Sequence, residues 1–387
     1  MSKYNIKTLN KISNIGLDKF GENYTVSDTT ENPDAILLRS ASMHEMEFPS
    51  GLQCIARAGA GVNNIPIEKC AEQGIVVFNT PGANANAVKE LAIAAMLISS
   101  RKIVEGINWS NTLTGDDVAK QVEKGKAQFV GPEIQGKVLG VMGLGAIGVM
   151  VANAASNLGM EALGYDPYIS VDAAWNLSRA VRKAGDLKMI FENADFITLH
   201  MPLTKETKEI INNEAFAQMK KGVRIINLSR GELVNDDDMK VALEEGIASA
   251  YVTDFPNDKL VNVKGVIPVP HLGASTPESE DNCAAMAAFQ TKDFLENGNI
   301  RNSVNFPACD MGVGVPGHRI TVAHRNIPNM LAQISTTLAG KSVNIANMIN
   351  KSRGDYAYTM IDVETDINGD TTDSIQAIDG VLKVRVI

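Results

Sequence analysis

Gly143, Gly145 and Gly148, with Leu144, Ala146 and Ile147 between them, make a GxGxxG run. Alone, that pattern is a common glycine-rich turn; its surroundings give it chemistry. The apolar stretch 137–142 reads as a strand entering the turn, and 146–158 reads as a helix leaving it. The first glycine permits a tight turn, the second lets a pyrophosphate approach the backbone, and the third lets helix and strand pack closely. The helix start then offers unpaired N–H groups and a positive dipole end to phosphates. A second strand-like run, 160–165, ends at Asp166, 23 residues after Gly143. Its carboxylate can accept hydrogen bonds from both hydroxyls of an adenosine ribose and would repel a 2′-phosphate. No Lys or Arg in 167–172 offsets that repulsion, so the residues favour NAD over NADP.

Other chemically capable residues follow strand-like runs, at the edge where doubly wound sheets bind ligands. His271, one of five histidines, comes after 266–269; an imidazole titrates near neutral pH and suits proton transfer. Arg230 comes after 223–228, and its planar fork can hold a carboxylate through two parallel N–H bonds. The turn Ala58-Gly59-Ala60-Gly61 follows 53–56 and can expose backbone N–H groups as an anion nest.

The elements that must position these residues alternate along the chain. Strand-like runs fall at 35–38, 53–56 and 75–78, then at 137–142, 160–165, 196–199, 223–228, 250–253 and 266–269. Helical patterns lie between them at 88–98, 216–220 and 236–245. Such alternation predicts an α/β fold with doubly wound parallel sheets, the early and later strands belonging to different domains. A helix from about residue 86 is a candidate crossing between them, and a helix over 278–296 stops at Asn297-Gly298-Asn299. The stretch 307–317, with two Pro and three Gly, reads as a linker. Beyond it the order becomes βαββαβ: strands at 319–323, 343–349, 356–363 and 382–387, with helices at 329–338 and 371–378. That order predicts a small ferredoxin-like domain.

Composition narrows the class. The chain has 387 residues, 44% hydrophobic and 21% charged, which fits a multi-domain globular protein. A formal net charge of −9 argues against a nucleic-acid or membrane-surface partner. The opening MSKYNIK has no apolar core, so no signal peptide is expected, and the apolar 138–155 segment reads as strand, turn and helix rather than a membrane span. Cys54, Cys70, Cys283 and Cys309 are widely spaced with no CxxC, so neither a metal site nor a disulfide framework is expected, and a reducing cytoplasm is.

The run from Gly140 to Asp166 resembles the D-2-hydroxyacid dehydrogenases. So do His200-Met201-Pro202-Leu203-Thr204, Asn227-Leu228-Ser229-Arg230-Gly231 and Pro270-His271-Leu272-Gly273-Ala274-Ser275-Thr276. The terminal βαββαβ unit resembles an ACT regulatory domain. The resemblance implies a discontinuous substrate domain over 1–86 and 275–305 and an NAD-binding Rossmann domain over 87–274. It also implies a linker over 306–317 and an ACT-like domain over 318–387. It makes His271 the general acid/base, Arg230 the carboxylate grip, and Asp258 the acid beside the histidine, where the family usually has glutamate. Asp254 becomes a nicotinamide-side contact, His200, Pro202 and Thr207 an adenine-side wall, and Gly59, Ala60 and Gly61 part of the carboxylate site. Arg39 and Ser40 match the substrate-phosphate side; Ala41 stands where a second arginine is frequent.

In relatives carrying the ACT domain, the substrate is 3-phosphoglycerate, oxidised with NAD as the entry to L-serine biosynthesis. Effector L-serine binds there at positions matching His324, Asn326 and Asn344, with Asn329 replacing a usual glycine. A homo-oligomer, dimer or tetramer, is implied. Two other readings stay open: a glyoxylate or hydroxypyruvate reductase, and a non-enzymatic NAD-sensing partner-binding protein.

Overall fold

The computed structural model describes residues 4–387; the first three residues of the MSKYNIK start lie outside them. The chain divides into two compact units. One joins the chain up to Asn84 with Pro277–Ile387, and the other is Ala85–Thr276.

The first unit opens with strands β1 (Tyr4–Thr8), β2 (Tyr24–Ser27), β3 (Ala35–Leu38), β4 (Cys54–Arg57) and β5 (Val76–Phe78). They form one parallel sheet in the order β2-β1-β3-β4-β5. Strand β3 is buried along its whole length, as its unbroken apolar run requires. The long helix Pro277–Asn297 returns to cover this sheet, and its Ala284, Ala287, Ala288 and Phe294 join a core with Ile6, Leu37, Ala56 and Phe78.

The second unit is built on seven parallel strands. These are β6 (Val138–Met142), β7 (Glu161–Tyr165), β8 (Arg182–Lys183), β9 (Phe196–Leu199), β10 (Val223–Asn227), β11 (Ala248–Thr253) and β12 (Val266–Pro268). Their order is β12-β11-β10-β9-β6-β7-β8. The chain leaves β6 in one direction and returns on its other side at β9. A crevice therefore opens at the carboxyl ends of these two strands, the position where such sheets bind nucleotides. The helix read at 216–220 is displaced: the helical turn is Asn213–Phe216, started by Asn212 accepting the Ala215 N–H.

The last residues form an antiparallel sheet of β13 (Arg319–Arg325), β14 (Ile345–Arg353), β15 (Tyr356–Val363) and β16 (Val381–Val386), in the order β14-β15-β13-β16. With helices Met330–Gly340 and Gly369–Gln376 this is the ferredoxin-like arrangement. One sheet face packs Ile320, Val322 and Ile361 against Met330, Ile334 and Ile375. The middle of the opposite face is covered as well. Ala323, Tyr358 and Met360 join the core of the first sheet, the Tyr358 hydroxyl donates to Gly298 O at 2.9 Å, and Arg385 lies 4.4 Å from the Phe294 ring centre. The stretch read as a linker is pinned. Arg319, 1% exposed, clasps Asp362 through Nε (2.6 Å) and Nη2 (2.9 Å), and its Nη1 donates to Asn297 O and Gly312 O.

All four cysteines are buried free thiols. Among the described residues, no helix is long and apolar enough to cross a membrane.

Candidate active site

The carboxyl ends of β6 and β9 abut at the glycine turn. Gly143 has φ +93°, and a Cβ there would lie 2.5 Å from His200 O. A Cβ on Gly148 would lie 1.9 Å from Gly143 O, so the helix Ala146–Asn157 sits as close to the strand end as backbone allows. Gly145 differs: a Cβ there meets nothing within 4 Å, and its φ is ordinary. Its surroundings are open, as a ligand-approach position requires, while Ala146 and Ile147 start the helix beside it.

Asp166 ends β7 next to this turn. One carboxylate oxygen accepts the Leu144 N–H at 2.8 Å and the other accepts the Tyr168 N–H at 2.8 Å. The acid is thereby aimed along the turn, with lone pairs left for ribose hydroxyls. His200 ends β9. Its Nε2 pairs with Thr198 Oγ1 at 2.9 Å, its Nδ1 is buried without a partner, and burial pushes its pKa down to about 4. A neutral ring in that position walls a site without competing for protons. Thr207 closes the following loop by donating to Pro202 O at 2.7 Å and accepting from the Thr204 N–H. These residues fit a dinucleotide: an open second glycine, a fixed acid and a neutral wall at one switch point.

Beyond β10, β11 and β12 come Arg230, Asp254 and His271. Arg230 is exposed, and Nη1 donates to the Ser229 carbonyl at 2.6 Å. Its backbone is fixed by Asn227, whose amide donates to Arg230 O. Asp254 is 2% exposed, with one carboxyl oxygen buried and unpartnered. Burial raises its carboxyl above the ordinary carboxylate range, and the charges of His271 and Arg230 and the N–H groups of Asp254 and Gly273 pull it back down. The His271 ring is exposed and stands edge-on to Phe255, 4.8 Å between centres. The structure thus brings Arg230, Asp254 and His271 together. It does not bring Asp258, which is exposed and makes no side-chain hydrogen bond or ion pair.

In the other unit, Arg57 organises the turn after β4. Its Nε donates to Arg39 O at 2.9 Å and its Nη1 to Gly61 O. The Gly59 N–H is engaged by Arg57 O, so of the three nest positions Ala60 and Gly61 keep N–H groups without a partner. The backbone of Arg39, Ser40 and Ala41 is held by Asn10 Oδ1, which accepts all three N–H groups at 3.2, 3.1 and 2.9 Å. The Arg39 guanidinium is ion-paired with Glu280 at 2.5 Å. Sequence reading missed Asn10, Arg57, Phe255 and Glu280. Only Phe255, adjacent to Asp254, carried a local signal.

The three effector candidates are not gathered within one chain. His324 is 2% exposed and both ring nitrogens are engaged, Nδ1 with Arg325 O and Nε2 with Thr359 Oγ1, each at 2.8 Å. It is a core residue here rather than an open ligand. Asn326 donates to Gly354 O at one end of the sheet, and Asn344 donates to Glu364 at the other. Asn329 adopts φ +68°, the left-handed backbone that asparagine tolerates in place of glycine.

Residues 93–273 match the family model described as D-isomer specific 2-hydroxyacid dehydrogenase, NAD binding domain. A D-3-phosphoglycerate dehydrogenase of Synechocystis sp. is 39% identical over 294 residues, 73% of this chain and 50% of the relative. One from Bacillus subtilis is 33% identical over 324 residues, 79% of this chain and 59% of the relative. The chain therefore spans about half the length of the curated relatives it matches. The NAD+-bound 3-phosphoglycerate dehydrogenase structure from Entamoeba histolytica superposes with a TM-score of 0.60 at 28% identity, over 79% of this chain and 99% of that one. The glycine turn, Asp166, Arg230 and His271 all lie within the segment that matches the NAD binding domain of the D-isomer specific 2-hydroxyacid dehydrogenases.

Proposed function

We propose that this protein catalyses NAD-dependent oxidation of 3-phospho-D-glycerate to 3-phosphohydroxypyruvate, the first step of L-serine biosynthesis. The observation that carries the reading is the grouping of His271, Asp254 and Arg230 at the carboxyl edge of the sheet that holds the glycine turn. When bound, NAD supplies the hydride acceptor. Gly143, Gly145, Ala146, Ile147 and Gly148 hold its phosphates, Asp166 its adenosine ribose, and His200, Pro202 and Thr207 its adenine side. His271 takes the proton of the substrate C2 hydroxyl. Asp254 orients the imidazole, the role expected of Asp258 from sequence. Arg230 grips the carboxylate bidentately, and Ala60 and Gly61 offer free N–H groups as an anion nest. Arg39 and Ser40 take the substrate phosphate.

In this reading 1–86 with 275–305 is the substrate domain, 87–274 the NAD domain, 306–317 the connector and 318–387 the ACT-like regulatory domain. The protein is a cytoplasmic homo-oligomer, in keeping with its four unpaired buried thiols. Strand β14 is an edge, and pairing it with a second copy satisfies its free backbone groups. Antiparallel pairing of β14 with itself sets Asn344 of one copy toward the Asn326 end of the other. That end-to-end placement is where L-serine would bind.

A reductase acting on glyoxylate or hydroxypyruvate is the second reading, favoured by Ala41 and by the neutralised charge of Arg39. The test is a panel of phosphorylated and unphosphorylated 2-hydroxy acids with NAD and with NADP, each with and without serine. The proposal expects the highest kcat/KM for 3-phospho-D-glycerate with NAD and a lower rate in millimolar serine. Preference for an unphosphorylated acid overturns the substrate assignment, and an unchanged rate in serine overturns the effector assignment.

A further inference from the structure

Arg39 is the only cationic side chain on the segment assigned to the substrate phosphate, because Ala41 supplies none. Its backbone is fixed from three sides. Asn10 Oδ1 accepts the N–H groups of Arg39, Ser40 and Ala41, and the Arg39 carbonyl accepts from Arg57 Nε and Asn64 Nδ2. The guanidinium, by contrast, is committed to an anion already present in the chain. Glu280 Oε1 lies 2.5 Å from Nη1. Glu280 belongs to the first turn of the 21-residue helix Pro277–Asn297, where the helix dipole favours a carboxylate. The buried Cys283 thiol feels Arg39, Arg57 and Glu280 together, so the three charges form one cluster.

We propose that Glu280 is an internal competitor for Arg39 and sets how strongly the protein prefers a phosphorylated acid over its unphosphorylated analogue. This rests on the reading of Arg39 as the phosphate ligand. The paired side chains are 38% and 46% exposed, so the pair opens at small cost and acts as a competitor rather than a lock. Until it opens, an incoming phosphate faces a guanidinium whose charge is already balanced. Salt weakens the pair and the phosphate contact alike, so the competition is strongest at low ionic strength.

Two measurements on the full chain test this. The first is the ratio of kcat/KM for 3-phospho-D-glycerate to that for D-glycerate, in wild type, Glu280→Gln and Arg39→Met. Glu280→Gln is expected to raise the ratio roughly 1.5-fold to fivefold, and Arg39→Met to lower it. In the double variant the glutamine is expected to bring no gain. The second needs no turnover: calorimetric binding of inorganic phosphate, tighter in Glu280→Gln by a similar factor and lost in Arg39→Met. If Arg39→Met lowers the ratio and phosphate binding while Glu280→Gln changes neither, the competitor role is overturned and the phosphate reading stands. If neither variant changes either quantity, both are overturned.

Discussion

Burial pushes the Asp254 carboxyl up and the charge of His271 pulls it back down, while Asp258, four residues further along the same loop, faces solvent. The two acids therefore separate experimentally. Asp254→Asn is expected to lower kcat at least tenfold and to alter the pH profile of kcat/KM, because the proton-transfer group loses its charge partner. Asp258→Asn is expected to stay within roughly twofold of wild type, as a surface change does. Steady-state rates across pH for both variants check this, and the reverse pattern would return the role to Asp258.

The second and third glycines of the turn predict opposite failures. Gly148→Ala drives a methyl into Gly143 O, backbone that has no room to give, so the NAD domain should lose stability. Gly145→Ala meets open space at an ordinary φ, so the melting temperature should hold while NAD affinity falls. Thermal melts paired with NADH titration distinguish the two. A Gly145→Ala protein that binds NADH normally would remove that position from the cofactor site.

His200 gives the fold a defined acid sensitivity. In the unfolded chain it takes its proton near 6.5, while in the fold burial delays this to about 4. The unfolded chain binds the proton first, so stability declines as pH falls from 6.5 to 4 and this contribution to the decline is complete below that window. His200→Asn should lose less stability across the same interval. Denaturant midpoints at the two ends of the window measure it, and equal losses in both proteins would show that the ring is solvated.

Arg319 and Arg301 form ion pairs of unequal worth. Arg319 is buried, and removing it strands Asp362 and leaves the carbonyls of Asn297 and Met311 without their donor, so Arg319→Met should cost about 3 kcal/mol. The Arg301–Asp310 pair is 47% and 40% exposed, and Arg301→Met should cost about 1 kcal/mol at most. Chemical denaturation of both variants makes the comparison. Equal costs would mean the clasp at Arg319 does not hold the terminal sheet in place.

Much of this architecture was legible in the residues. Unbroken apolar runs such as 35–38 and 75–78 announced buried parallel strands, and the GxGxxG turn with Asp166 marked the switch point. Strands β1 and β2 were missed because Tyr4–Thr8 and Tyr24–Ser27 carry Asn, Lys, Thr and Ser among their apolar positions. Asp258, expected beside His271, stands in solvent. Spacing alone does not show which way a loop side chain turns. His324 matched by residue type, yet packing against Thr359 spends its ring inside the fold. Asn10, Arg57 and Glu280 act on residues distant in sequence, so no local pattern exposes them.

The most direct measurement is NADH formation from 3-phospho-D-glycerate and NAD by the wild-type protein and by His271→Asn, alongside NADH binding to each. The proposed chemistry requires turnover by the wild type, a loss of kcat of at least a hundredfold in the variant, and NADH affinity kept in both. A His271→Asn enzyme that turns over at the wild-type rate with the same pH profile would contradict it.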